Sequence, residues 1–115
     1  MGGFGERWME DWRHLSDRLV AAKESQRAVL ELSDRYRKLS LAERAIVDGL
    51  LNDALVSGEE WQRFDALAPV NEFRIVAALP ALERLAAQLG GSERPGAPFE
   101  LNKVRRLVAR LSEES

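Results

Sequence analysis

The chain has 115 residues, of which 45% are hydrophobic and 31% are charged, and its formal net charge at pH 7 is −2. This length fits one domain, and the apolar content is sufficient for a core without covalent cross-links. Cysteine is absent, which excludes disulfide bonds and thiolate metal sites. A net charge so close to zero does not predict a general affinity for phosphate backbones.

The first residues do not resemble a secretion signal or a membrane anchor. Charged side chains begin at Glu6 and Arg7, where a signal peptide would need an uncharged apolar run. The longest weakly charged run, Ile75 to Leu82, is far shorter than the ~20 apolar residues that cross a bilayer. We therefore expect a cytoplasmic protein, with residues 1–5 as a flexible terminus.

Residues 6–39 contain neither glycine nor proline and predict one long helix or two. A stripe recurs at alternating steps of four and three residues, namely Trp8, Trp12, Leu15, Leu19, Ala22, Gln26 and Val29. The pattern then shifts to Leu32, Tyr36 and Leu39, so the helix either bends there or restarts near Ser25. Unbroken, it would be about 50 Å long. Such a helix would protrude as an arm, and a protruding arm usually has a binding partner.

Two capping boxes predict the next helices. Ser40 and Glu43 form a box that predicts a helix from Leu41, and Ser57 with Glu60 forms a second box. Because only a short turn separates these two helices, we expect them to pack nearly antiparallel. The second of them covers about residues 59–73, and Pro69 should kink it.

The helix after this pair is predicted at residues 80–89. Pro80 suits the first turn of a helix, and Gly90-Gly91 ends it. Only Glu83, Arg84 and Gln88 are strongly polar within it, so we expect most of its surface to be buried.

A last amphipathic helix is predicted at residues 99–112, after a linker rich in glycine and proline at residues 90–98. No alternating strand pattern occurs anywhere in the chain. The prediction is therefore a single all-α domain, built as a short stack of antiparallel helical hairpins or an irregular bundle. Its core is formed by three helices at residues 41–89, and a long N-terminal amphipathic helix precedes them.

The segment from Trp61 to Leu89 resembles a HEAT repeat. It has a kinked first helix, a tight turn and the run Ala78-Leu79-Pro80-Ala81-Leu82, followed by Leu85 and Leu89. Ile75 and Ala77 depart from the family's pattern, which usually has an acidic residue at the first position and often a basic one at the second. The resemblance implies a HEAT-like stack, since one hairpin cannot bury both of its faces and neighbouring hairpins must cover it.

No motif in the chain predicts catalysis. His14 is the only histidine, and its spacing from Asp11 is not repeated on a second helix, as a carboxylate-bridged metal centre would need. Nucleophile elbows, phosphate-binding glycine loops and dinucleotide fingerprints are absent from the sequence. Clustered carboxylates follow the usual preferences for helix caps and solubility; they are Asp48, Asp53, Glu59 and Glu60. We predict that the protein is not an enzyme and has no metal, cofactor or small-molecule ligand.

The N-terminal stripe contains the candidate protein-interaction residues Trp8, Trp12, Leu15 and Leu19. Trp8 and Trp12 lie one helical turn apart, and tryptophan is enriched at binding hot spots. The alternative is that these rings pack onto the chain's own core.

The last helix contains the candidate basic face, formed by Lys103, Arg105, Arg106 and Arg110. These side chains could contact phosphate or an acidic peptide. The alternative is a solvated face whose charge complements the negative end of the helix dipole.

From these observations we infer a non-catalytic protein–protein interaction module, such as an adaptor, an antitoxin or immunity-like protein, or a regulator. Its partner is another protein or a second copy of the chain, with homodimer formation through the N-terminal helix. A nucleic-acid-binding protein that uses the basic last helix is the alternative, and an enzyme without a recognisable site comes third. Binding to a membrane surface is not predicted, because acidic residues of the N-terminal helix reduce the positive charge that anionic lipids would require on its polar face.

Overall fold

The computed structural model describes residues 3–21 and 25–114, without the side chains of residues 19–21, 25, 26, 28 and 114. Within these ranges the chain forms six α-helices, one short 3₁₀-helix and no strand, which confirms the predicted all-α fold. The helices are α1 (Phe4–Ala21), α2 (Ser25–Arg37), α3 (Leu41–Ser57), α4 (Glu60–Glu72), α5 (Leu79–Gly90) and α6 (Ala97–Glu114), and the 3₁₀-helix (Val76–Ala78) precedes α5.

The first two helices fold back on each other instead of forming one rod. Nη2 of Arg18 in α1 lies 4.0 Å from Oε2 of Glu31 in α2, whereas a continuous helix would separate these residues by about 20 Å. The longest dimension of the protein is 36 Å. The alternative of one unbroken, protruding helix is therefore wrong, and the second helix begins at Ser25. Folding back buries the apolar stripe against the rest of the chain, which a solitary arm would leave in water.

The central helix is α3, which packs against α1, α4 and α5. Its start follows the predicted capping box, since the Glu43 N–H donates to Ser40 Oγ at 3.2 Å and the Ser40 N–H donates to Glu43 Oε1 at 3.0 Å. Val47, Leu51 and Leu55 are almost fully buried along its inner face.

The second predicted capping box, at Ser57 and Glu60, is wrong. Ser57 still belongs to α3, where its hydroxyl donates to the Asp53 carbonyl at 2.9 Å. Glu59 is the N-cap residue of α4 instead, and its N–H donates to Gln62 Oε1 at 2.8 Å. A carboxylate at the N-cap also suits the positive end of the helix dipole.

The helix α5 is buried on one face only. Ala81, Leu82, Leu85 and Leu89 point into the core, while the opposite face, which includes Ala87, is exposed. The expectation that most of its surface is buried is wrong, because α3 and α6 cover one side and nothing in the described chain covers the other. The helix α4 packs mainly on α2 and α3. The HEAT-like resemblance stays a prediction.

Replacing Leu82 by alanine should lower the free energy of unfolding by about 2–5 kcal/mol, because its side chain is fully buried and its loss leaves a cavity. Urea denaturation measures this effect. The matched control is Leu41→Ala, because Leu41 is 85% exposed and the same truncation should change stability by less than about 0.5 kcal/mol. Equal losses in the two variants would contradict the described packing of α5.

Candidate docking groove between α4 and α6

The N-terminal interaction candidates lie inside the protein. Trp8, Trp12 and Leu15 are 8%, 1% and 3% exposed, respectively. The side chain of Leu19 lies outside the described residues. The three described side chains therefore offer no surface to a partner in this conformation, because α1 turns its stripe towards α2 and α3.

Trp12 is instead a structural link between α1 and α4. Its Nε1–H donates to Oδ2 of the buried Asp65 at 3.0 Å, and its ring meets the Trp61 ring edge-on, with centroids 5.7 Å apart. Burial raises the pKa of the Asp65 carboxyl above its usual value, against the opposing effect of hydrogen bonds from Trp12 and Ser16. This link holds the outer helix α1 against α4.

The basic candidates of α6 are all exposed, and three of them share one wall. Lys103, Arg106 and Arg110 line a recess beside α4, whereas Arg105 does not. The Lys103 ammonium lies 5.2 Å from the centroid of the Phe64 ring, in the range of a cation–π contact. Lys103, Arg106 and Arg110 recur at steps of three and four residues, so they follow one side of the helix.

The helices α4 and α6 run parallel to each other with a gap between them. Arg63 contacts Glu100, 37 residues later, and Arg110 donates to Asn71, 39 residues earlier, at 2.8 Å. The separation in sequence is therefore nearly the same at both contacts. A contact farther along α4 is made farther along α6, so the two helices point in the same direction. Few of their backbone atoms approach closely, so long side chains bridge the gap.

The gap forms a groove made of two adjoining recesses of about 670 and 430 Å³. Phe64, Leu67 and Lys103 line both recesses and mark their junction. The first recess lies at the N-terminal ends of α4 and α6 and includes Trp61 and Phe99. The second lies towards their C-terminal ends. Together the two recesses follow most of the length of α4.

Two phenylalanine rings make the groove apolar at its surface. Phe64 is 47% exposed and Phe99 is 76% exposed. Neither ring was predicted from the sequence to form part of a binding surface. The spacing of Phe64 from Leu67 fits a buried helix face, and the single usable signal was that Phe99 lies off the apolar stripe that begins at Leu101.

A network of ion pairs closes the first recess. The Arg63 guanidinium donates to both carboxylate oxygens of Glu100, at 2.6 and 3.1 Å, and Arg94 donates to Glu100 Oε1 at 2.6 Å and pairs with Glu60 at 3.0 Å. Burial acts to raise the pKa of Glu100, but the hydrogen bonds from Arg63 and Arg94 outweigh it and lower the pKa below its usual value. The carboxylate therefore stays ionised at neutral pH.

The charge of the groove is uneven along its length. Carboxylates of Glu59, Glu60 and Glu100 surround the first recess, and the second is bordered by basic side chains of α6. Among the described residues, Lys103, Arg106 and Arg110 form no ion pair with a carboxylate. The second recess therefore has unpaired positive charge, and Glu59 at the first recess likewise has no cationic partner in the described part of the chain.

The groove contains no arrangement that suggests catalysis. The sole imidazole, that of His14, lies outside it, 3.7 Å from a carboxylate oxygen of Glu10. Among the described residues, no group of three or more histidine, aspartate or glutamate side chains is placed to bind a metal ion. These side chains can provide apolar contact, cation–π contact and ion pairing, which are the interactions of a docking surface.

No family model matches this chain, and searches of curated proteins and of solved structures found no significant match. None of the helices in the described part combines the length and the apolar character that a bilayer-spanning segment requires.

The raised pKa of Asp65 predicts how an Asp65→Asn variant depends on pH. The folded wild-type protein takes up a proton at a higher pH than the unfolded chain does, so it gains stability in acid and loses that gain as the pH rises through the folded pKa. The amide cannot titrate and its oxygen still accepts from Trp12. The stability of Asp65→Asn relative to wild type should therefore increase from about pH 4 to pH 7.

Thermal unfolding at several pH values measures this difference. The control is Asp65→Ala, which leaves the Trp12 donor unpaired; it should be about 1–3 kcal/mol less stable than Asp65→Asn at every pH, because neither variant titrates at this position. If the relative stability of Asp65→Asn were constant or fell with rising pH, the described burial of the Asp65 carboxyl would be contradicted.

Proposed function

We propose that the protein is a non-catalytic protein–protein interaction module whose docking surface is the groove between α4 and α6. The observation that carries this proposal is the exposure of Phe64 and Phe99 beside two adjoining recesses. Exposed aromatic rings in a concave, mixed apolar and charged surface are typical of binding sites for other proteins. Isolated exposed residues such as Leu30, by contrast, are common on any protein surface.

The same features favour a protein partner over a nucleic acid. A nucleic-acid channel combines stacking rings with basic side chains that follow the phosphate backbone. Here Arg106 and Arg110 border only the second recess, Lys103 lies at the junction, and Glu59 and Glu60 border the first. At the first recess a phosphate chain would meet the carboxylate of Glu59, which has no cationic partner in the described part of the chain, whereas a polypeptide can match both halves.

Self-association through α1, which the sequence suggested, has less support than the groove. Trp8 and Trp12 are buried in the chain's own core. A homodimer built on them would first have to release α1 from α4, breaking the hydrogen bond between Trp12 and Asp65. The groove requires no such rearrangement.

Site-specific photo-cross-linking in living cells tests the proposal. A benzophenone amino acid at position 99 keeps an aromatic side chain in the groove, and the same amino acid at position 30 is the matched control, because Leu30 is 70% exposed and does not line the groove. We expect a discrete cross-linked protein from position 99, none from position 30, and at least a several-fold loss when Phe64→Ser is added. Equal products from both positions would contradict the proposal. Nuclease-sensitive products would support the nucleic-acid alternative instead.

A further inference from the structure

We propose that the occupant of the groove is a helix of about three turns that lies antiparallel to α4 and α6. Its first turns carry acidic residues opposite Lys103, Arg106 and Arg110, and its later turns carry apolar side chains over Phe64 and Phe99. This inference rests on the proposed function and specifies the partner's chemistry and direction.

The dimensions of the groove set the length of the occupant. Its α4 wall extends from Glu60 to Asn71, and its α6 wall extends from Phe99 to Arg110. The α4 wall is about 17 Å long at the rise of an α-helix, which corresponds to roughly three turns. An amphipathic helix that places an apolar face in such a groove satisfies its own backbone hydrogen bonds, which an extended strand could not do against two helices.

The charge of the occupant follows from which groups in the groove already have partners. At the first recess, Arg63 and Arg94 neutralise Glu100, and Arg94 also pairs with Glu60. At the second recess, Arg110 is bonded to the neutral Asn71 side chain and Lys103 lies against a ring. In the described part of the chain, the basic side chains Lys103, Arg106 and Arg110 therefore have no carboxylate partner. An acidic segment of the occupant would supply such partners.

The direction of the occupant follows from the helix dipoles. Because α4 and α6 are parallel, their negative ends lie together at the second recess. An antiparallel helix places its positive N-terminal end there. Acidic residues in its first turns then stabilise their own helix and pair with the basic wall at the same time. A parallel helix would place like dipole ends together, and acidic residues near its C-terminus would weaken it.

Two synthetic peptides of the same composition test this inference. Each has about 12 residues, with three glutamates and four apolar anchors; the first carries the glutamates in its first two turns, and the second is the same sequence written in reverse. Fluorescence anisotropy at low ionic strength measures the binding of each to the whole protein. We expect the acid-first peptide to bind at least about tenfold more tightly.

Three variants distinguish the effect of the basic side chains from that of the phenylalanine rings. Arg106→Glu with Arg110→Glu should remove the preference between the peptides, and Phe64→Ser with Phe99→Ser should abolish the binding of both. Leu30→Ser is the matched control and should leave both affinities unchanged, since Leu30 lies outside the groove. All substituted side chains are exposed, and circular dichroism confirms that each variant is folded.

Each contrary result has a distinct meaning. Equal binding of the two peptides that is lost in the Phe64 and Phe99 variant would overturn the proposed charge and direction and leave the docking groove intact. Binding of neither peptide, or binding unaffected by the Phe64 and Phe99 changes, would overturn the inference. Because the cross-linking experiment uses the cell's own partner and no peptide, failure of the inference is distinguishable from failure of the proposed function.

Discussion

The ion pair between Arg63 and Glu100 is the interaction on which the groove depends. The helix α4 rests on α2 and α3, and α6 rests on α5, so the two helices belong to different sides of the bundle and meet mainly through side chains. A bidentate guanidinium–carboxylate pair has a defined geometry, and here it is largely shielded, with side chains 16% and 14% exposed. It therefore holds the helices parallel at a distance that leaves the two recesses of the groove between them.

The attachment of α1 supports one end of this groove. Trp12 donates to Asp65, which lines the first recess, and Ser16 both hydrogen-bonds to Asp65 and lines the same recess. A buried carboxylate without a cationic partner costs stability, and two neutral hydrogen bonds recover part of that cost. The burial of Trp8 and Trp12 thus serves the fold of one chain, and the exposed aromatic rings of the groove are phenylalanines of α4 and α6.

Local signals predicted the elements that depend on local chemistry. The capping box at Ser40 and Glu43 and the proline in the first turn of α5 involve residues within one helical turn, and both were confirmed. The predicted capping box at Ser57 was wrong because Ser57 and Glu59 lie within one turn of each other. Since α3 continues through Ser57, Glu59 is the residue that caps α4. Periodicity located the stripe of α1, but it could not show which surface covers that stripe.

The sequence by itself determined that the chain is helical, where most helices begin and end, and which faces are apolar, since these properties arise from contacts within a few residues. Only the tertiary structure decided which apolar faces are covered. It buried Trp12, exposed Phe64 and Phe99, and left one face of α5 in solvent. It also decided that α4 and α6 run parallel across a gap, because the positions of residues far apart in the chain depend on how all the helices pack together.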